Sequence, residues 1–316
     1  MSEITNQDKL DAANRTFELK FQEIFENDDA TPGIADRIAE TVPTTSETGE
    51  VDFLGAMPVL RKWVGKRLRQ AQRAYNHTFA LEPYEATWGL KRTKVRYDNI
   101  GAIARRISRF FARNRYWKEK ILFDELKTNP TGYDGVALYS TAHPHGPSGN
   151  QSNTTTAAFG VSTLDLAMQG GASLRDERGE SLGISYDLLV VGPKLGKRAR
   201  EITGSDRLMT FAADGTVDGT SSQVGGANVP NFFIGGMMDL LIWPRLVGDY
   251  DDHWHLFDTT SDAKSMLLYE GRDVEGFSKT EMTDDNRWER DEHEWALESD
   301  HDPIAGAWQT TYAGIL

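Results

Sequence analysis

Apolar residues recur at helical spacing over residues 7–27, where Leu10, Ala13, Phe17, Phe21 and Phe25 form one stripe that ends at Asn27-Asp28-Asp29. Residues 28–50 break that pattern with Pro32, Gly33, Pro43 and a Thr/Ser/Glu run, the composition of an extended connector with no core of its own. The two segments together predict a tethered amphipathic arm. From Met57 to Tyr75 two periods compete: Leu60, Trp63, Val64, Leu68 and Ala71 suit a helix, while Lys66 to Ala80 also alternates as a strand does. Phe79 to Tyr97, with Pro83, Gly89 and alternating aromatic and β-branched residues, predicts a long hairpin projecting from the body.

The strongest periodic signal runs from Ile100 to Lys127. Ile103, Ile107, Phe110, Phe111, Trp117, Ile121 and Leu122 fall on one side, with Arg105, Arg106, Arg109, Arg113 and Lys118 mostly elsewhere. Asp98 or Asn99 caps the start and Asn129-Pro130 stops the end, so one helix of about 40 Å is expected. After a Gly/Ser/Asn-rich loop over 129–156 the pattern predicts helices over 162–170 and 193–202, and strands over 186–191, 232–243, 253–257, 265–269 and 308–315. A long Gly/Ser/Thr-rich loop occupies 204–230. Strands cluster late and do not alternate with helices, which predicts an α+β fold.

Composition narrows the function classes. The 316 residues contain no cysteine, which excludes disulfides, thiolate nucleophiles and zinc knuckles. Residues Met1 to Leu10 are polar, and the longest apolar stretch, Phe232 to Leu246, is interrupted by Gly235, Gly236, Asp239 and Pro244, so neither a secretion signal nor a membrane partner is expected. The net charge of -13 is unevenly spread: residues 51–130 carry 18 basic against 7 acidic side chains, and residues 251–316 carry 5 against 17. A basic block between acidic ones suggests complementarity between parts of identical subunits more than an overall nucleic-acid footprint.

Candidate chemistry is thin. His143-Pro-His145 and His253-Trp-His255 have the spacing of paired metal ligands, with Asp251, Asp252 and Asp258 near the second pair, but loop and strand histidines among polar neighbours are the plainer reading. Gly192-Pro-Lys-Leu-Gly-Lys197 fails as a phosphate loop, since it is one residue short between its glycines and has proline where an N–H is needed. The run Glu289-Arg-Asp-Glu-His-Glu294 reads as a wet charged surface. No catalytic residue, cofactor site or metal site is expected.

The order of landmarks from about residue 52 onward resembles the Mu-like major head subunit (gpT) family of phage capsid proteins. It is carried by Trp63-Val-Gly-Lys-Arg67, Val95-Arg96-Tyr-Asp-Asn-Ile100, Tyr133-Asp-Gly135 with Leu138-Tyr139-Ser140 and His143, Asn150 and Asn153, Leu182-Gly183-Ile184, Leu188-Leu-Val-Val-Gly-Pro193, and Trp254-His-Leu-Phe257. Where the family has two acidic residues before its long helix, this chain has Asp98-Asn99.

The resemblance implies a Hong Kong 97-type capsid fold, with an N-terminal arm at 1–55, a peripheral lead-in at 56–65, an extended loop at 66–97 and a spine helix within a peripheral domain at 98–160. An axial domain would occupy mainly 161–252, with return strands and an acidic C-terminal region at 253–316. It implies a non-enzymatic shell subunit of the virion, assembled in the host cytoplasm into pentamers and hexamers, meeting portal, scaffold or decoration proteins and holding double-stranded DNA by enclosure. The charge blocks suggest that Lys91, Arg92, Lys94 and Arg96 meet the acidic 281–302 region of a neighbour, with Phe17, Phe21, Phe79 and Trp88 as apolar anchors. The competing readings are an encapsulin-like nanocompartment shell and a metal-dependent enzyme using His253 and His255.

Overall fold

The computed structural model describes residues 6–26, 33–54, 74–97, 100–204, 207–210, 227–230, 238–281, 284 and 290–315. In chain order the helices are α1 (Asn6–Phe21), α2 (Ile34–Ile38), α3 (Arg92–Tyr97), α4 (Ile100–Asn114), α5 (Trp117–Thr128), α6 (Val161–Ala172) and α7 (Gly196–Gly204). The strands are β1 (Ala39–Pro43), β2 (Thr48–Leu54), β3 (Ala74–Ala80), β4 (Glu82–Lys91), β5 (His143–Pro144), β6 (Asn150–Gln151), β7 (Thr154–Thr155), β8 (Leu188–Val191), β9 (Arg207–Thr210) and β10 (Ala227–Pro230). They continue with β11 (Asp239–Ile242), β12 (Trp254–Phe257), β13 (Met266–Lys279), β14 (Glu292–Ala305) and β15 (Thr311–Gly314).

Two sheets organise the chain. The first has the order β1-β13-β14-β4, with β1 parallel to β13 and the other pairs antiparallel. Its central strand β14 alternates strictly: His293, Trp295, Leu297, Ser299 and His301 are buried, while Glu292, Glu294, Glu298 and Asp300 lie between them and are only half-buried. The expectation of a wet surface over 289–294 is therefore corrected, because period-two burial makes its C-terminal half a sheet strand despite the charge. The second sheet has the order β11-β8-β12-β15-β7, and β8 and β12 are buried throughout. Leu188-Leu-Val-Val191 is such a strand by composition, a short β-rich apolar run stopped by Gly192-Pro193. Gly192 is obligatory there, since a Cβ would stand 2.3 Å from the Leu246 carbonyl oxygen.

Five further expectations are overturned. The helix over 100–127 is two helices: α4 and α5 are interrupted at Arg115 and Tyr116, where Tyr116 adopts φ -106°, ψ 28°. The cause is a change of core. Ile103, Ile107 and Phe111 of α4 pack with α1 and the first sheet, whereas Ile121, Leu122, Phe123 and Leu126 of α5 enter the core of the second sheet. Trp117 marks the change, its ring 5.7 Å from Tyr84 and 4.7 Å from His301.

The segment 79–97 is not a hairpin. β4 is instead an edge strand paired along its length with β14, from Lys91 opposite Glu292 to Glu82 opposite His301, and residues 92–97 turn into α3. The two-stranded ribbon is β2–β3, with Thr48 opposite Ala80 and Leu54 opposite Ala74. Its connecting residues 55–73 lie outside the described residues, and with them most of the segment where two periods compete; Ala74 to Ala80, the described end of that segment, is a strand. The ribbon also touches its own body, since Tyr75 hydrogen-bonds Glu177 and its ring meets that of Tyr133 edge-on at 5.3 Å.

The amphipathic arm is embedded. Leu10, Ala13 and Phe17 of α1 are buried, the Phe17 ring lies 5.0 Å from Phe111, and the Trp295 indole N–H donates to Asn14 Oδ1 at 3.0 Å. Nor is 28–50 a coreless connector, because Ala35, Ile38 and Ala39 join the main core and β1 pairs with β13. Finally, the loop expected over 204–230 contains an antiparallel pair, Arg207–Thr210 with Ala227–Pro230, while 211–226 lie outside the described residues.

Candidate assembly surface

The histidines are structural. Both His143 ring nitrogens face oxygen: Asp134 Oδ2 at 2.6 Å from Nδ1 and Asn153 Oδ1 at 3.1 Å from Nε2. The ring stacks on Trp308 at 4.0 Å with an interplanar angle of 2°. Asn153 is a buried hub, donating from its amide to the carbonyls of Leu138, Trp308 and Thr311 and accepting from the Ser140 N–H. The Tyr133-Asp-Gly135 turn, with Gly135 at φ +80°, is thereby fastened to the C-terminal strand region. The motif that carries the resemblance most distinctively is a packing node.

His253 and His255 are not among the described residues whose possible ligand atoms converge. His255 is wholly buried with Nδ1 3.1 Å from the Tyr139 hydroxyl, and burial followed by the nearby His253 pushes its pKa down to about 3. Two of the three nearby carboxylates are engaged elsewhere: Asp252 pairs with Lys194 at 2.6 Å, and Asp258 accepts from the Thr260 and Ser261 N–H groups. Among the described residues, the group whose ligand atoms do converge is Glu270, Asp273 and His301. There the Lys118 ammonium stands 3.1 Å from Glu270 and 3.3 Å from Asp273, so a side chain already supplies the cation. The His301 hydrogen bond, assisted by the charge of Lys118, holds Glu270 down at about 2 against the opposing effect of burial.

The residues expected at subunit contacts divide. Phe17 and Phe79 are buried within their own chain, Phe79 stacked on Tyr269 at 4.2 Å. Phe21 and Trp88 are half-buried, Trp88 against Trp295 at 4.9 Å. Lys91, Arg92 and Lys94 are exposed, and the side chain of Arg96 lies outside the described residues. The basic and acidic blocks already meet inside one chain, since Lys91 lies opposite Glu292 in the ladder and Arg92 is 3.7 Å from Asp291. This removes much of the reason for reserving that pairing for a neighbour.

What the sequence reading missed is a charge asymmetry across the first sheet. One face is covered by α1 and α4, where Phe17 and Phe21 lie over Gly276; a Cβ there would be 3.0 and 3.1 Å from their rings. The other face is open and acidic. Glu85, Glu298 and Glu275 stand directly opposite one another across β4, β14 and β13. Arg272 reaches Glu298 at 3.3 Å, Asp300 at 3.1 Å and Glu275 at 3.8 Å. Across the layer, α4 turns Arg105, Arg106, Arg109 and Arg113 to solvent, and no described carboxylate lies within ion-pair distance of them. The signal for the acidic face was present in the alternation Glu292-His-Glu-Trp-Ala-Leu-Glu-Ser-Asp300.

The resemblance to a known family is borne out. The model of the family described as Mu-like prophage major head subunit gpT matches residues 10–164. The chain is 29% identical over 145 residues to the major capsid protein of Escherichia phage Mu, and 25% identical over 111 residues to the Mu-like prophage FluMu major head subunit of Haemophilus influenzae. Those stretches cover 45% and 34% of this chain and 46% and 36% of the relatives, so the match spans less than half the length of each. In structure, the chain resembles that of the bacteriophage JBD30 procapsid with a TM-score of 0.52 at 19% identity, over 97% of this chain and 75% of the other. It also resembles that of the bacteriophage PhiM1 mature capsid, with a TM-score of 0.52 at 13% identity, over 92% and 90%. The fold, mixed in helix and strand, is that of phage capsid chains. Among the described residues no helix is long and apolar enough to cross a membrane.

Proposed function

We propose that this chain is the major capsid subunit of a Mu-like phage or prophage head, a structural protein that assembles with copies of itself into an icosahedral shell around the genome, and not an enzyme. One coincidence carries the reading: the head-subunit family matches residues 10–164 while the capsid-chain likeness extends over 97% of the molecule. On this reading α1 and the residues up to β2 are the N-terminal arm, folded back on the chain's own body. The β2–β3 ribbon belongs to the extended loop, α4 and α5 form a broken spine, the first sheet belongs to the peripheral domain, and the second sheet with α6 and α7 to the axial domain.

Heterologous head-to-tail contacts close such subunits into fivefold and sixfold rings. Phe21, Trp88, Lys91, Arg92 and Lys94 keep accessible surface and are the anticipated residues we assign to those contacts. Exposed charge pairs contribute only about 0.2–1 kcal/mol each, so they set register more than they supply cohesion. Portal, scaffold or decoration proteins would bind the assembled shell, which forms in the host cytoplasm and becomes the virion head. The test is sedimentation with negative-stain microscopy of the expressed full-length chain. Closed shells or capsomer rings are the expected result, and a protein that stays monomeric across concentration and salt overturns the reading. Shells that carry a protein cargo in place of DNA would identify a nanocompartment instead.

A further inference from the structure

We propose that the arginine ridge of α4 contacts the phosphates of the enclosed nucleic acid, so that this helix faces the lumen and the acidic open face of the first sheet faces away from it; the inference rests on the shell reading. Arg105 and Arg109 project opposite the buried stripe of Ile103, Ile107 and Phe111, with Arg106 and Arg113 flanking them. Arg105, Arg109 and Arg113 stand about 6 Å apart along the axis, and over the ridge's roughly 12 Å a parallel duplex presents about seven phosphate charges.

Four guanidiniums in one patch have no carboxylate within ion-pair distance among the described residues. Their planar donor forks match phosphate oxygens. The opposite side of the same layer carries Glu85, Glu275 and Glu298 in a row, a face that repels a polyanion. A shell wall built from such a layer therefore has an electrostatic inside and outside. The overall charge of -13 keeps the contact weak and reversible, as a container that must release its contents requires.

The experiment uses the full-length chain in two parallel measurements: binding of its unassembled fraction to a 30-base-pair duplex by fluorescence anisotropy from 50 to 200 mM salt, and particle yield by sedimentation. Four phosphate contacts predict a slope of about -3.6 in log affinity against log salt, and about a hundredfold loss of affinity across that range. Replacing Arg105, Arg106, Arg109 and Arg113 together by Gln should weaken duplex binding at least about tenfold at 50 mM salt and flatten the slope, with particle yield unchanged. The corresponding Lys variant, which keeps the charge, should retain most binding and shows that loss in the Gln variant is not misfolding. Unchanged duplex binding in the Gln variant overturns the proposal. So does a Gln variant that loses particles while the wild-type subunit shows no duplex binding, because the ridge would then dock on another copy, the acidic sheet face being its complement. A wild-type chain that forms no particles yet binds the duplex through these arginines removes the shell and with it the lumenal assignment, leaving a nucleic-acid-binding helix.

Discussion

Asn153 illustrates how much one polar side chain holds together. Its amide serves three carbonyls from two distant parts of the chain, and its oxygen receives the Ser140 N–H and faces His143. A buried carbonyl left without a donor costs about 1–3 kcal/mol. Asn153→Ala should therefore lower the stability of the unassembled subunit by about 3 kcal/mol in urea unfolding. Asn153→Asp has nearly the same shape but sets a carboxylate against those carbonyls, so its loss should be at least as large; an Asp variant as stable as wild type would contradict the hub. Glu270 gives a pH signature. Its pKa is about 2 in the folded chain against an ordinary 4.5, so its contribution is fully present above 4.5 and is lost as pH falls toward 2. The Tm of the subunit should fall across that window, and Glu270→Gln should lower Tm at neutral pH while flattening the acid slope.

At the scale of elements, α1 depends on the side chains it inserts. Phe17 is buried against Phe111, and truncating such a ring leaves a cavity worth roughly 3–5 kcal/mol. Phe17→Ala should release α1 from the first sheet, read as new protease cleavage within residues 6–26 and a lowered urea midpoint; cleavage no faster than wild type would show that α1 is held by other contacts. The Phe17 stripe was legible as an amphipathic helix, but periodicity says only that one face is apolar and not which surface covers it. The α4–α5 break was illegible for a related reason: a continuous apolar stripe permits one helix, and only the presence of two separate cores forces Arg115 and Tyr116 out of it. β14 was missed because its charge dominated the reading, although His293, Trp295 and Leu297 alternate with acids as an amphipathic strand requires. By contrast β8 and β12 were readable, being short apolar runs between turn residues, and both lie in the second sheet as buried strands.

At the scale of the whole molecule, charge and connectivity set the behaviour. Like charges directly opposite in a sheet are destabilising by a few tenths of a kcal/mol to about 1 kcal/mol. Glu85→Gln should accordingly raise the stability of the isolated subunit by about 0.5 kcal/mol at low salt, and the gain should vanish in 1 M salt, where screening reaches about 3 Å. Connectivity has the larger consequence. The first sheet draws its strands from residues 39–43, 82–91, 266–279 and 292–305, and the second places β15 between β12 and β7. The stretch matched by the head-subunit family, 10–164, thus supplies α1, α4 and α5 but neither Trp295 and Leu297, which they pack on, nor Trp254 and Trp308 of the main core. A match of that extent does not delimit a folding unit. Residues 1–164 expressed alone should therefore be unfolded, with a weak helical circular dichroism signal and rapid proteolysis. The same fragment mixed with residues 165–316 should recover protection, because each half holds the strands that complete the other's sheets. A 1–164 fragment that melts cooperatively on its own would mean that α1, α4 and α5 make a core without β14, contrary to the burial of Phe17, Ile107 and Phe111 against Trp295 and Leu297.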